Sequence, residues 1–224
     1  MSMNKQIFIT SFVLVVSIVY FGISDVDIVV QDFFYNHETH KWILNSYSQP
    51  YKFIFYDGAK RFLILFAVSL LIFSLIFRKK AIVQTYKKGI IIVLLSAIFV
   101  PSTIGILKNN TNMPCPKNDI YYGGVYPKTA VWERYPADFV KPKVKCWPAG
   151  HASGGFALLS LFFVFRRKRN RLMGLGIGLT VGWSTGLYKM IIGDHFLSHT
   201  VLTMIIAWLI ILLIVKMTSI FGKN

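Results

Sequence analysis

The sequence predicts an all-α polytopic membrane protein with six transmembrane helices, and three observations predict it. Of its 224 residues, 54% are hydrophobic and 15% charged, with a mean hydropathy of +0.54, a balance that excludes an ordinary soluble domain. Six stretches approach the roughly 20 apolar residues a helix needs to cross a bilayer. Between them lie two short, strongly basic connections, the pattern that sets orientation in a membrane.

The first stretch lies near 6–23 and is followed by Ser24-Asp25-Val26-Asp27. No small-residue cleavage site follows it, so it reads as a helix rather than a signal peptide. The loop near 24–61 is rich in aromatics, among them Phe33, Tyr35, Trp42, Tyr47, Phe55 and Tyr56. Such residues favour the headgroup layer, so the loop is expected to lie along the membrane surface. Its His37 and His40 read as solvated side chains; a metal site there is the alternative.

The second stretch, near 62–77, is short, and Arg78, Lys79, Lys80, Lys87 and Lys88 lead to the third, near 89–107. After the loop near 108–147 comes a fourth, near 147–165. Arg166, Arg167, Lys168, Arg169 and Arg171 then lead to the fifth, near 172–192. That stretch carries Gly174, Gly178, Gly182 and Gly186 on one face, the spacing that lets a neighbouring helix approach closely. A tight turn at 193–198 joins it to the sixth, near 199–216.

The basic connections place both termini in the cytoplasm and the two long loops and the 193–198 turn outside. The chain reads as a single domain, 1–224, without internal repeat. Its net charge of +16 is assigned to headgroup contact and topology rather than to nucleic acid, which is not an expected partner. The outer loop departs from the usual bias. It holds Lys108, Lys117, Lys128, Arg134, Lys141, Lys143 and Lys145 against Asp119, Glu133 and Asp138, which suits an anionic substrate or lipid. Cys115 and Cys146 fall in this loop and are expected to pair on the oxidising side of a membrane; two unpaired thiols are the alternative.

Three helix ends carry the chemistry. Lys108 closes the third helix, Pro148-Ala149-Gly150-His151 opens the fourth, and Lys189, His195 and His199 straddle the turn between the last two. Ionisable groups at the edge of lipid are costly and usually functional. One histidine to attack phosphorus and one to protonate a leaving oxygen are what a metal-free phosphatase needs. The amides opening the fourth helix offer a phosphate cradle.

The spacing Lys108-x6-Cys115-Pro116, then Pro148-Ala149-Gly150-His151, then Lys189-x5-His195-x3-His199 resembles the three-part signature of the type 2 phosphatidic acid phosphatase superfamily, K-x6-R-P, P-S-G-H and S-R-x5-H-x3-D. The likeness covers 108–199, and the six-helix topology suits the rest. It implies that His195 is the nucleophile of a phosphohistidine intermediate and His151 the general acid. It further implies that Lys108, Lys189 and the amides at Ala149, Gly150 and His151 hold the phosphoryl oxygens, with the active site at the outer membrane face. No metal and no other cofactor is implied.

The departures are Cys115 and Lys189 for the two arginines, Tyr188 and Ala149 for serines, and His199 for the aspartate. Lysine loses the bidentate grip of arginine. A neutral His199 is able to accept a hydrogen bond from His195 but not to neutralise an imidazolium. Arg134 or one of Lys141, Lys143 and Lys145 is the expected substitute for the missing guanidinium.

The variant motifs are most similar to bacterial lipid A phosphatases and phosphotransferases. This implies removal of a phosphate from lipid A at the periplasmic side of the inner membrane, with phosphorylated lipid and membrane lipids as partners. Undecaprenyl pyrophosphate, phosphatidylglycerophosphate and phosphate transfer to another lipid stay open. A transporter or binding protein for anionic lipids is the non-enzyme alternative; it predicts ionisable groups at mid-membrane depth and related halves, and neither is visible.

Overall fold

The computed structural model describes residues 1–136 and 139–221; Asp138, counted above in the loop's charge, lies outside the described residues. The protein is 70% helical. Its elements are α1 (Met3–Ile23), α2 (Val26–Asp32), a hairpin of β1 (Tyr35–Asn36) and β2 (Lys41–Trp42), α3 (Ala59–Ile76), α4 (Ala81–Asn110), α5 (Gly150–Ala157), α6 (Lys168–Ile191) and α7 (Leu197–Phe221). In the hairpin Tyr35 faces Trp42 and Asn36 faces Lys41.

All six expected helices form. Four of them, Met3–Ile23, Phe53–Ile76, Ala81–Asn110 and Leu197–Ile220, are long and apolar enough to cross a membrane. The Gly150–Phe163 helix is apolar but shorter. Helix α6 has the length, but opens on Lys168, Arg169 and Arg171 and is rich in glycine. The second span starts earlier than expected, in a wide π-turn at Phe53–Gly58 that runs into α3.

The glycine face of α6 lies against α5 and the 3₁₀ turn Leu158–Phe163 that prolongs it. A Cβ on Gly155 would lie 2.6 Å from the Cα of Gly182, and one on Gly174 would lie 3.0 Å from the Leu161 backbone. Backbone meets backbone here, so larger side chains would force the helices apart. Around this contact Ile92, Val100, Phe156, Leu159, Ala207 and Ile211 form the main core.

Helix α3 is different, for none of its residues is buried. Pro101 inside α4 removes the backbone bond to the Ala97 carbonyl. Ala97 and Pro101 both line a cavity of about 380 Å³ that opens between α3, α4 and α5.

The loops at the end opposite the basic connections knit together. Thr111 Oγ1 donates to the Trp147 carbonyl at 2.7 Å, and Cys115 is joined to Cys146 by a disulfide, Cα–Cα 5.2 Å. Two aromatics of the first loop turn inward, Tyr35 being buried with Tyr122 and Phe196 against Trp42, whereas Phe33, Tyr47 and Phe53 stay exposed.

Candidate active site

The turn between α6 and α7 carries His195, and local geometry explains its shape. Gly193 has φ +74°, and the Trp42 ring lies where its Cβ would stand, so conformation and space both demand glycine. The amides of Gly193, Asp194 and His195 fold back on the end of α6, to the carbonyls of Met190 (3.0 Å) and of Lys189 (2.8 and 3.2 Å). This is how helices close on a left-handed residue.

Helix α2 grips both rims of the turn. Asp27 Oδ1 accepts from the Ser198 amide in the first turn of α7 at 2.8 Å, and Gln31 Nε2 donates to the Met190 carbonyl at 2.8 Å. Both side chains are buried. The cap of α7 is thus supplied by a residue far away in sequence. Burial pushes Asp27 up to about 6 from its ordinary 3.8, although the bond from Ser198 opposes the shift.

Because the folded-state value is raised, the native protein binds more protons than the unfolded chain between about pH 4 and 6, and stability falls as pH rises through that window. Asp27→Asn keeps an acceptor for Ser198 without a charge to bury. Its thermal midpoint is expected to exceed that of the parent by roughly 5 °C at pH 7.5, the excess vanishing toward pH 4. A midpoint at or below the parent's at pH 7.5 would refute this account of Asp27.

His195 and His199 are both buried, with their Nδ1 atoms 3.4 Å apart. The backbone of Cys146 lies beside the His199 ring. One Nδ1 must carry the proton that the other accepts. Burial first, then the neighbouring His199, Lys108, His151 and Lys189, hold His195 well below the usual histidine range, so its imidazole is neutral.

Asp194 does not orient His195. Its carboxylate pairs with Lys189 at 2.7 Å and with Lys117 at 2.7 Å. Burial alone would raise Asp194, but the two lysines outweigh it and hold the carboxylate ionised. Lys189 is buried, so it does not extend to the interface. Among the described residues, the loop cation in ionic contact with this cluster is Lys117 rather than Arg134, Lys141, Lys143 or Lys145; Lys143 Nζ donates instead to the Asn109 carbonyl at 2.8 Å.

Helix α5 brings His151 and Gly150 to the same place. Lys108 Nζ sits 3.8 Å from the position a Cβ on Gly150 would take. Contrary to the expectation from sequence, the Ala149 amide does not face the cradle: it donates to Thr203 Oγ1 at 2.8 Å, and Thr203 in turn donates to the His199 carbonyl at 2.6 Å. Ala149 is therefore a tie between α5 and α7, and the first-turn amides left without helical partners are those of Gly150, His151 and Ala152.

Tyr56 was not anticipated. Its ring centroid lies 4.4 Å from that of His151 and 4.2 Å from Lys189 Nζ, so it joins the two. Sequence offered only an aromatic run that suits an interface; the π-turn aims this member of it inward. His37 and His40 lie apart from the cluster, bonded to Asp32 (3.1 Å) and Tyr35 (3.3 Å) respectively. The cluster thus combines three imidazoles, that of His195 buried and neutral, with three ammonium groups and free helix amides at one end of the bundle, an arrangement suited to binding a phosphoryl group and attacking it.

A family model described as the PAP2 superfamily matches residues 88–223, more than half of the chain. No curated protein and no solved structure matches the chain.

Proposed function

The chain belongs to the PAP2 superfamily, whose members are phosphatases acting on phosphorylated lipids, and from that premise we propose that it cleaves its substrate through a phosphohistidine formed on His195. The observation that carries the proposal is the buried His195–His199 contact beside Lys108, Lys189 and His151. With the His195 proton on Nδ1 and directed at His199 Nδ1, the lone pair of Nε2 is free for phosphorus. The proton of His199 then sits on Nε2, on a ring flanked by the Cys146 backbone.

In the first step Nε2 forms the N–P bond, the P–O bond to the lipid breaks, and His151 gives the leaving oxygen its proton. In the second step His151 takes a proton from water, the water oxygen attacks phosphorus, and the N–P bond breaks to release inorganic phosphate and restore His195. Lys108 and the amides of Gly150, His151 and Ala152 hold the phosphoryl oxygens where charge develops. Lys189 has three donors, so it serves phosphate while keeping its bond to Asp194.

The cavity between α3, α4 and α5 supports a lipid substrate. His151 and Gly150 stand at its polar end, and Leu63, Val93, Ala157 and Leu158 line the rest. A chain arriving from the bilayer is already in an apolar medium, so the cavity discriminates by shape rather than by hydrophobic gain. Gly154 lines it, with Leu63 Cδ1 3.1 Å from where its Cβ would stand. Gly154→Leu is expected to lower kcat/KM for a long-chain lipid phosphate by about tenfold or more, with little effect on a short-chain, water-soluble phosphate ester. Equal losses on both would remove the cavity from this role.

The basic connections lie at the end away from the cluster, where Lys88 Nζ donates to Ser219 Oγ at 3.0 Å near the end of α7. This supports a cytoplasmic placement of that end and of the termini, and a periplasmic site in a bacterial inner membrane. Lipid A is the substrate we favour. The test is phosphate release by the detergent-purified protein, with EDTA present, from lipid A, undecaprenyl pyrophosphate and phosphatidylglycerophosphate. Release that survives EDTA and requires His195 supports the mechanism and identifies the lipid. Release abolished by EDTA would overturn the metal-free step.

A further inference from the structure

A second cavity, of about 300 Å³, lies on the loop side of the bundle between the end of α1, α2 and the segment 113–133. Asp25, Asp27, Asp119 and Glu133 line it, so four of the nine acidic residues of a chain with net charge +16 gather around one space. Its walls hold one cation, Lys128, which is paired with Asp25 at 2.8 Å.

Most of these carboxylates have duties of their own. Asp27 caps α7, and Glu133 Oε2 accepts from the Ala130 amide at 2.7 Å. Asp119 is only half satisfied. It is 2% exposed, its Oδ1 accepts from the Tyr121 amide at 2.9 Å, and its Oδ2 is buried with no hydrogen-bond partner. Burial pushes Asp119 upward, as it does Asp27; Lys128 offsets part of both shifts from a distance while its ion pair is with Asp25. A buried carboxylate oxygen without a donor is expensive and calls for a partner.

We propose that this cavity is a binding site for an organic ammonium group, with Asp119 as its principal acceptor. Among the described residues no three acidic, histidine or cysteine side chains converge closely enough to hold a metal ion, so the carboxylates surround the space rather than a point. An –NH₃⁺ group carries three divergent donors, which suits acceptors on separate walls. Phe21, Ile23, Met113 and Phe196, also in the lining, suit the carbon skeleton of such a ligand. The headgroup of an amine-bearing lipid and a free small amine share this chemistry.

The test is a thermal titration of the full-length protein in detergent at constant ionic strength, with ethanolamine, its neutral counterpart ethylene glycol, and magnesium chloride as probes. Ethanolamine is expected to raise the midpoint by roughly 5 °C near saturation, whereas glycol and magnesium do not. Asp119→Asn is expected to weaken the ethanolamine response by about 30-fold in concentration. If that variant does not fold, Glu133→Gln, at an exposed position, is expected to weaken it by a smaller factor.

Repeating the titration in nanodiscs of phosphatidylethanolamine and of phosphatidylglycerol separates the two sources. A response already saturated in the former identifies the lipid headgroup, and an undiminished one identifies a free amine. An equal response to glycol or magnesium, or one unchanged in both variants, would overturn the proposal. None of these readouts depends on phosphatase activity.

Discussion

His195→Ala is expected to lower kcat for phosphate release from the cleaved lipid by at least about 10⁴-fold, because it removes the atom that bonds to phosphorus. The rest of the cradle, Lys108, Lys189 and the amides of α5, would still bind the headgroup, so KM should change far less than kcat. His195 is buried, and an alanine leaves a gap; a thermal midpoint within a few degrees of the parent's is the necessary control. Rapid quenching with a labelled lipid should trap acid-labile, alkali-stable label on the parent protein and none on the variant. Activity within tenfold of the parent would sink the assignment. The neutral imidazole also sets a pH expectation. Since burial and the surrounding cations hold His195 well below the usual histidine range, the nucleophile stays unprotonated, and kcat/KM should not fall on its account between pH 7 and 6.

His199 is expected to show the next largest effect, about 10³-fold in kcat for His199→Ala. Without an acceptor 3.4 Å from His195 Nδ1, the imidazole loses the bond that keeps its lone pair on Nε2. The informative variant is His199→Asp. A carboxylate accepts the same hydrogen bond and also favours the imidazolium, so it should recover most of the lost rate. It should also raise the His195 pKa, so that loss of activity on acidification begins at a higher pH than in the parent. A purely structural role for His199 predicts the reverse ranking, since a buried aspartate would disturb packing more than alanine does. Equal rates for parent and alanine variant would rule out the orienting role.

Much of this was legible in order and spacing. The six helices follow from runs of apolar residues, because lipid tolerates few alternatives to a hydrogen-bonded helix. The glycine face of α6 was visible at its four-residue spacing, and Lys108, His151, His195 and His199 stood at helix ends where charge is costly. What escaped was set by partners distant in sequence. Asp194 adjoins His195 in sequence, but its partners, Lys189 and Lys117, are fixed only by the closed turn. Tyr56 looked like any interfacial aromatic until a π-turn aimed it at His151. Ala149 sat within a familiar motif, but Thr203 takes its amide. Asp27 and Gln31 lay in a loop with no periodic pattern, and only the fold shows them gripping the turn that carries His195.

The division has a physical cause. Local chemistry is enough to decide which segments become helices, where they stop and which ends hold titratable groups, since bilayer thickness and backbone hydrogen bonding act on contiguous residues. The sequence by itself therefore determined the membrane class and the family, and marked His151 and His195 as the candidate catalytic pair. Hydrogen bonds and ion pairs between helix ends depend on angles and offsets of a few ångströms that no contiguous stretch encodes. Which lysine meets which carboxylate, which amide stays free, what caps α7 and what lines each cavity were decided only when the helices packed.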